Sequence, residues 1–162
     1  MGMDEVRWLD DEEQQAWRSL ISGMTMLERR LERELSDQYD ITMDDYAILV
    51  LLSESPDRRV RMSQLSSRAL IPKPQVTYRI GRLEQRGIVA REPCEDDARG
   101  MWATLTDAGS DLLDRAAAHH VRNVRELVLD RMTRDRFLAV GDAFGAIYRA
   151  SAGDEEAAAH RA

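Results

Sequence analysis

The chain of 162 residues holds one cysteine, Cys94, one lysine, Lys73, and four prolines. A lone cysteine closes no disulfide within the chain, and with three histidines it leaves no set of four ligands at metal-binding spacing. Neither a metal nor another cofactor is expected. No apolar run approaches the roughly 20 residues of a membrane-spanning helix. The opening stretch MGMDEVRWLDDEE is acidic and lacks an apolar segment, so no secretory signal and no membrane partner are expected. The chain reads as soluble and cytoplasmic. A glycine-rich phosphate loop, a nucleophile elbow and a carboxylate pair in a recognisable catalytic motif are also missing, so the expectation is a protein that is not an enzyme.

Charge is plentiful instead. Hydrophobic residues make up 43% of the chain and charged residues 33%, enough for one domain, or one domain with a helical extension. The net charge of −7 opposes nonspecific coating of nucleic acid. Its distribution is uneven. Between Arg58 and Arg91 stand nine basic residues and one acidic residue, Glu84, a local balance of +8. An acidic body with one basic stretch suits nucleic-acid binding there, against the plainer reading of a solvated charged surface. Of the 23 basic residues 22 are Arg, a skew that accompanies GC-rich coding sequence and points to a bacterial source.

Along the chain, residues 1–9 carry no pattern and are expected to be loosely ordered. A long helix is expected over residues 10–38, opened by Asp10, Asp11, Glu12 and Glu13, where the helix dipole favours negative charge. Its apolar seam runs Trp17, Leu20, Met24, Leu27, Leu31 and Leu35, and so narrow a seam needs a partner, either its own domain or a second subunit. Thr42 with Asp45 forms a capping signal for an apolar helix that ends at Ser55-Pro56. Val60 to Met62 suits a short strand, and Ser63 is expected to cap the helix that follows. Two strands, Ile88 to Arg91 and Met101 to Leu105, flank a polar loop, EPCEDDARG. Thr106 is read as the cap of a helix to about Asp130, and Thr133 as the cap of a last one. Residues 151–162 read as a flexible tail.

The stretch Pro74 to Arg86 has two faces. Val76, Ile80 and Leu83 recur at helical spacing and point inward, while Gln75, Arg79, Arg82 and Arg86 are expected to point outward. Pro74 suits a first helical turn and Gly87 a stop. Helix, short turn and basic helix, followed by a hairpin, make a winged helix-turn-helix. Gln75 has the groups to bond adenine bidentately and Arg79 those to bond guanine, each worth about 1–3 kcal/mol of discrimination. Thr77 and Tyr78 are candidates for a thymine methyl or a phosphate. Ser63, Lys73, Arg82 and Arg86 are candidates for phosphates, which fix register without reading sequence. In the hairpin, Arg99 is expected to enter the minor groove, with Asp97 beside it as an ion-pair partner or orienting group. Arg91 and Arg99 would offset the acidic tip at Glu95 and Asp96.

These motifs resemble the MarR family of bacterial transcription regulators over residues 10–150. The likeness rests on Val76-Thr77 and Leu83, on Arg86-Gly87-Ile88-Val89, on Asp97-x-Arg99, and on Leu105-Thr106-x-x-Gly109. It implies a mostly α fold with a small β-hairpin wing, in which a winged helix-turn-helix region (39–106) sits between dimerisation helices (10–38 and 107–150). It also implies a homodimer on a pseudo-palindromic operator, with readers in successive major grooves about 34 Å apart. Trp17, Leu20, Leu27, Leu31, Leu127, Phe137 and Phe144 are the expected interface. The family commonly releases DNA on binding small, often aromatic or anionic ligands, and Trp17, Met24 and Tyr46 lie on the elements that flank that site. A repressor is expected. Tyr78 stands where many members carry Arg, and Gly81 lies inside the reading helix.

Two other readings compete. A winged helix also serves as a protein-interaction module. Cys94 invites an oxidant-sensor reading, although peroxide-sensing members carry their cysteine in the first helix, and the neighbours here are acidic rather than electropositive. His119 and His120 are adjacent on one helix, point to different faces and do not chelate one metal together.

Overall fold

Asp10 starts the first helix by a reciprocal cap: its carboxylate accepts the Glu13 N–H at 2.8 Å, and the Glu13 carboxylate accepts the Asp10 N–H at 3.0 Å. Helix α1 then runs Asp11–Tyr39 and stops where Asp40 turns left-handed. In the computed structural model, which describes residues 6–95 and 97–152, the remaining order is α2 (Met43–Ser53), β1 (Arg59–Arg61), α3 (Met62–Ala69), α4 (Lys73–Gln85), β2 (Val89–Cys94), β3 (Asp97–Leu105), α5 (Asp107–Leu127) and α6 (Arg134–Ser151). Short 3-10 turns occupy Pro56–Arg58 and Leu129–Arg131. The fold is mostly α with a small antiparallel sheet. No described helix is long and apolar enough to cross a membrane.

The capping reading holds at Thr42, where a second reciprocal cap with Asp45 opens α2. It holds at Thr106 and Thr133 as well. It fails at Ser63. Strand β1 passes straight into α3, so Arg61, held in the sheet opposite Trp102, occupies the cap position and Ser63 lies inside the first turn. Helix α5 also ends before Asp130, at Leu127.

The sheet has the order β1-β3-β2. The wing strands reach further than the sequence suggested: Pro93 pairs with Met101 and Cys94 with Asp97, so most of the supposed polar loop is strand. Strand β2 is an edge, where a proline interrupts no ladder on its free side. Within the strands, Val60, Val89, Ala103 and Leu105 face inward and join Ile48, Leu52, Leu65, Ile80 and Leu83 in one core. Gly109 marks its tightest joint, because a Cβ there would stand 2.2 Å from the Ile88 carbonyl oxygen. Thr106 sits at the same joint and donates its hydroxyl to the Gly87 carbonyl at 2.7 Å.

Residues 6–10 precede α1 without regular structure; residues 1–5, the tail from 153 onward and Asp96 at the wing tip lie outside the described residues.

Candidate nucleic-acid interface

Helix α4 presents the faces its sequence promised on the inner side: Val76, Ile80 and Leu83 are all buried. At about 100° per residue, the position opposite that stripe belongs to Tyr78. The residue is 66% exposed, with Gln75, Thr77 and Lys73 also open to solvent. The turn before α4 is set by Leu70 in the left-handed region and by the Ser66 hydroxyl donating to the Ile71 carbonyl at 2.7 Å.

Arg79 does not point outward. Its Nη2 lies 2.6 Å from Asp44 Oδ2, and its Nη1 reaches Thr42 Oγ1 at 2.6 Å and Asp45 Oδ1 at 3.3 Å. The physical reason is angular. Arg79 lies three residues from Val76 and four from Leu83, on the border of the buried stripe, where the start of α2 packs beside it. Asp45 is only 3% exposed and needs a cationic partner. Removing one partner of a buried pair costs about 3–5 kcal/mol, more than the roughly 1–3 kcal/mol of a bidentate guanine contact. The closed pair wins.

Two further arginines are engaged within the chain. Arg86 donates to the Asp40 carbonyl at 2.6 Å and the Tyr39 carbonyl at 3.1 Å, satisfying groups at the C-terminus of α1. Arg91 donates through Nε to Glu84 at 2.9 Å, and its Nη2 meets the same carboxylate. This bond holds the Glu84 carboxyl below its ordinary range. Arg82, half-buried, has no carboxylate partner among the described residues.

At the root of the wing the structure gathers Ser63, Arg91 and Arg99 around one cleft, together with Arg61, Gly100 and Met101. A neighbouring cleft along the helix-turn-helix joins Ser63, Ser67 and Lys73. Arg61 was missed in the sequence. Its signal was the alternation Arg59-Val60-Arg61, which turns both arginines outward, over the Trp102 ring at 4.8 and 5.1 Å. Arg99 is exposed. Asp97 orients its backbone rather than its guanidinium, accepting the Arg99 N–H at 3.0 Å and facing Arg61 at 3.6 Å. Cys94 is buried in the wing against Gly100, whose Cβ would meet its sulfur at 2.9 Å.

The fold has close counterparts. A family model described as the MarR family matches residues 39–100. The chain is similar to Sco3205, a MarR family transcriptional regulator from Streptomyces coelicolor solved in complex with DNA, with 40% identity, coverage of 94% of this chain and 96% of that one, and a TM-score of 0.89. The chain belongs to the MarR family. AbsC, another MarR family transcriptional regulator from Streptomyces coelicolor, is 38% identical over 89% of this chain and 97% of its own, with a TM-score of 0.83. The regulator PecS of Dickeya dadantii is 31% identical over 104 residues, which is 64% of this chain and 62% of PecS. The match thus spans about three fifths of that relative. The chain is a winged helix-turn-helix, DNA-binding transcription regulator of this family.

For this MarR-family chain the long helices show a split seam. Leu31 and Leu35 are buried in the chain's own fold, so Leu31 faces inward rather than outward to a second subunit. Further toward the N-terminus the seam opens: Leu20 and Leu27 are half-buried, Trp17 is 54% exposed, and Ile21 and Met24 are exposed too. No side chain of helix α6 is fully buried. Leu127, Phe137 and Phe144 are half-buried.

Of the residues expected around a small-molecule site, Trp17 and Met24 lie open on α1, whereas Tyr46 is half-buried against His120, ring centres 4.7 Å apart. Burial, and then the Glu54 carboxylate, push the Tyr46 phenol up. Burial, and then His119, push the His120 imidazole down. His120 Nδ1 and Asn123 Nδ2 are buried and have no hydrogen-bond partner among the described residues. His119 turns away to Glu34, at 3.3 Å, and to the edge of Tyr39. The sequence did not single out Asn123.

Proposed function

We propose that the protein binds a pseudo-palindromic operator as a homodimer in the cytoplasm, represses transcription, and leaves the operator when a small aromatic or anionic ligand binds. The observation that carries the reading is the exposed row Gln75, Thr77 and Tyr78 beside the Arg61, Ser63 and Arg99 cleft, all but Arg99 within the one basic stretch of an acidic chain. Base edges would be read by the row, and phosphates held by the cleft, by Lys73 and by Arg82. The homodimer is supported by α6, none of whose side chains is fully buried within its own chain while Leu138, Val140 and Ile147 stand exposed, and by the open end of the α1 seam. A ligand site is supported by the ring pair Tyr46 and His120 with its unpaired buried nitrogens, since such groups accept a polar aromatic guest.

The test is fluorescence anisotropy on genomic fragments selected by the purified protein, repeated across salt concentrations. Salt-dependent binding to a shared inverted repeat is expected, and Arg82→Ala should lower the salt slope by about 1. Absence of binding to any fragment, with capture of a protein partner instead, would replace the operator reading with an interaction-module reading. Buried Cys94 gives the oxidant-sensor reading no accessible thiol.

A further inference from the structure

We infer that Arg79 is a positioning residue: with Arg86 it fixes how α4 sits against α1, and so sets the half-site spacing that a pair of recognition helices accepts, while base reading falls to Gln75 and Tyr78. This rests on the operator reading above and deepens it.

Three helices meet at the start of α2. From α1, the Glu32 carboxylate accepts the Met43 N–H at 2.6 Å. From α4, Arg79 grips Asp44, Asp45 and the Thr42 hydroxyl of the same turn. The grip has no slack on the α2 side, because the second oxygen of Asp45 already accepts the Thr42 N–H at 3.0 Å. A displacement of α1 therefore reaches α4 through two hydrogen-bonded joints rather than through a deformable loop.

Arg86 supplies a separate, direct joint, bonding α4 to the last carbonyls of α1. Arg79 and Arg86 are seven residues apart, so they share one face of α4 and stand about 10.5 Å apart along its axis. One anchor leaves a helix free to pivot. Two anchors on one face fix both tilt and rotation relative to α1. Because α1 carries the exposed seam assigned to the second subunit, the pose of each reader is referred to the dimer axis. Tyr78, on the outer face, is then aimed by contacts that it does not itself make.

The experiment uses the full chain and a genomic operator that the wild type binds. It compares three sets of fragments: the natural site, sites with the half-sites one base pair closer or further apart, and sites with single base pairs changed. Arg79→Lys keeps the charge but loses the fork that spans Asp44, Thr42 and Asp45. It should cut the preference for natural over altered spacing at least fivefold, with base preferences unchanged. Asp44→Asn, which leaves Asp45 paired, should do the same more weakly and serves if Arg79→Lys melts early. Tyr78→Ala and Gln75→Ala should give the opposite pattern, with altered base preference and intact spacing preference. An Arg79→Lys protein that changes preference at one base pair overturns the proposal. So does equal loss on every spacing, the signature of a merely structural role. A wild type that binds no fragment overturns the operator reading itself, and the proposal with it.

Discussion

Glu84, on the last turn of the recognition helix, accepts hydrogen bonds from both the backbone and the guanidinium of Arg91 on the first wing strand, at 3.3 Å from the backbone nitrogen and 2.9 Å from Nε. Reader and wing are thus tied across the Gly87 turn, which a left-handed φ of 71° requires.

Glu84→Ala should loosen the wing without unfolding the core, seen as faster amide hydrogen exchange over β2 at neutral pH. The carboxyl is held below its ordinary value by the Arg91 hydrogen bond. Its contribution is therefore present above the unfolded carboxylate pKa and is lost as pH falls through the lower folded one. Any difference in denaturation midpoint between wild type and variant should accordingly vanish in acid. A difference that grows in acid would contradict the pairing.

Gly109 and Gly81 should respond in opposite ways to alanine. A methyl on Gly109 meets the Ile88 carbonyl, so Gly109→Ala should cost about 1–3 kcal/mol, the usual range for overpacking. Nothing lies within 4 Å of a Cβ at Gly81, so Gly81→Ala should stabilise α4 by up to about 1 kcal/mol through helix propensity. Urea denaturation measures both. Equal effects would mean that the joint at Ile88 is not where the strain falls.

His120 predicts loss of stability below neutrality. Its proton affinity is lowered in the fold, first by burial and then by His119, so the unfolded chain takes up the proton at higher pH. Stability is therefore full above the ordinary histidine pKa near 6.5 and declines as pH falls through it toward the lower folded value. Thermal melting from pH 7.5 to 5 should show this decline, and His120→Gln should flatten it. An unchanged slope in His120→Gln would assign the dependence elsewhere.

The exposed α6 face should hold the dimer. Val140→Asp with Ile147→Asp places charge on two exposed apolar positions seven residues apart on one face, so the expected product is a folded monomer by sedimentation and circular dichroism. Operator affinity should fall about a hundredfold or more, since the second half-site no longer binds at high effective concentration. A double variant that stays dimeric would move the interface off this face.

Much of the fold was legible because its signals are local. The caps at Thr42, Thr106 and Thr133, the inward Val76, Ile80 and Leu83 set, and the Gly87 stop each depend on residues within a turn or two. The wing's true length was not legible, because a paired strand and a polar loop share the composition EPCEDDARG, and only the partner strand distinguishes them. Ser63 was misplaced as a cap for a similar reason: the sheet register at Arg61 and Trp102, not the helix, decides where α3 begins.

By itself the sequence determined the order of the helices, the winged arrangement and the basic stretch that would face DNA, since periodicity, capping and charge are written residue by residue. The tertiary structure alone decided which of those arginines remain outward. Arg79, Arg86 and Arg91 are bound by Asp44 and Asp45, by the end of α1 and by Glu84, while Arg82 and Arg99 have no carboxylate partner among the described residues. A helical wheel gives a side chain's direction to within a sector. Whether a carboxylate from another helix waits there depends on long-range packing that no local pattern encodes.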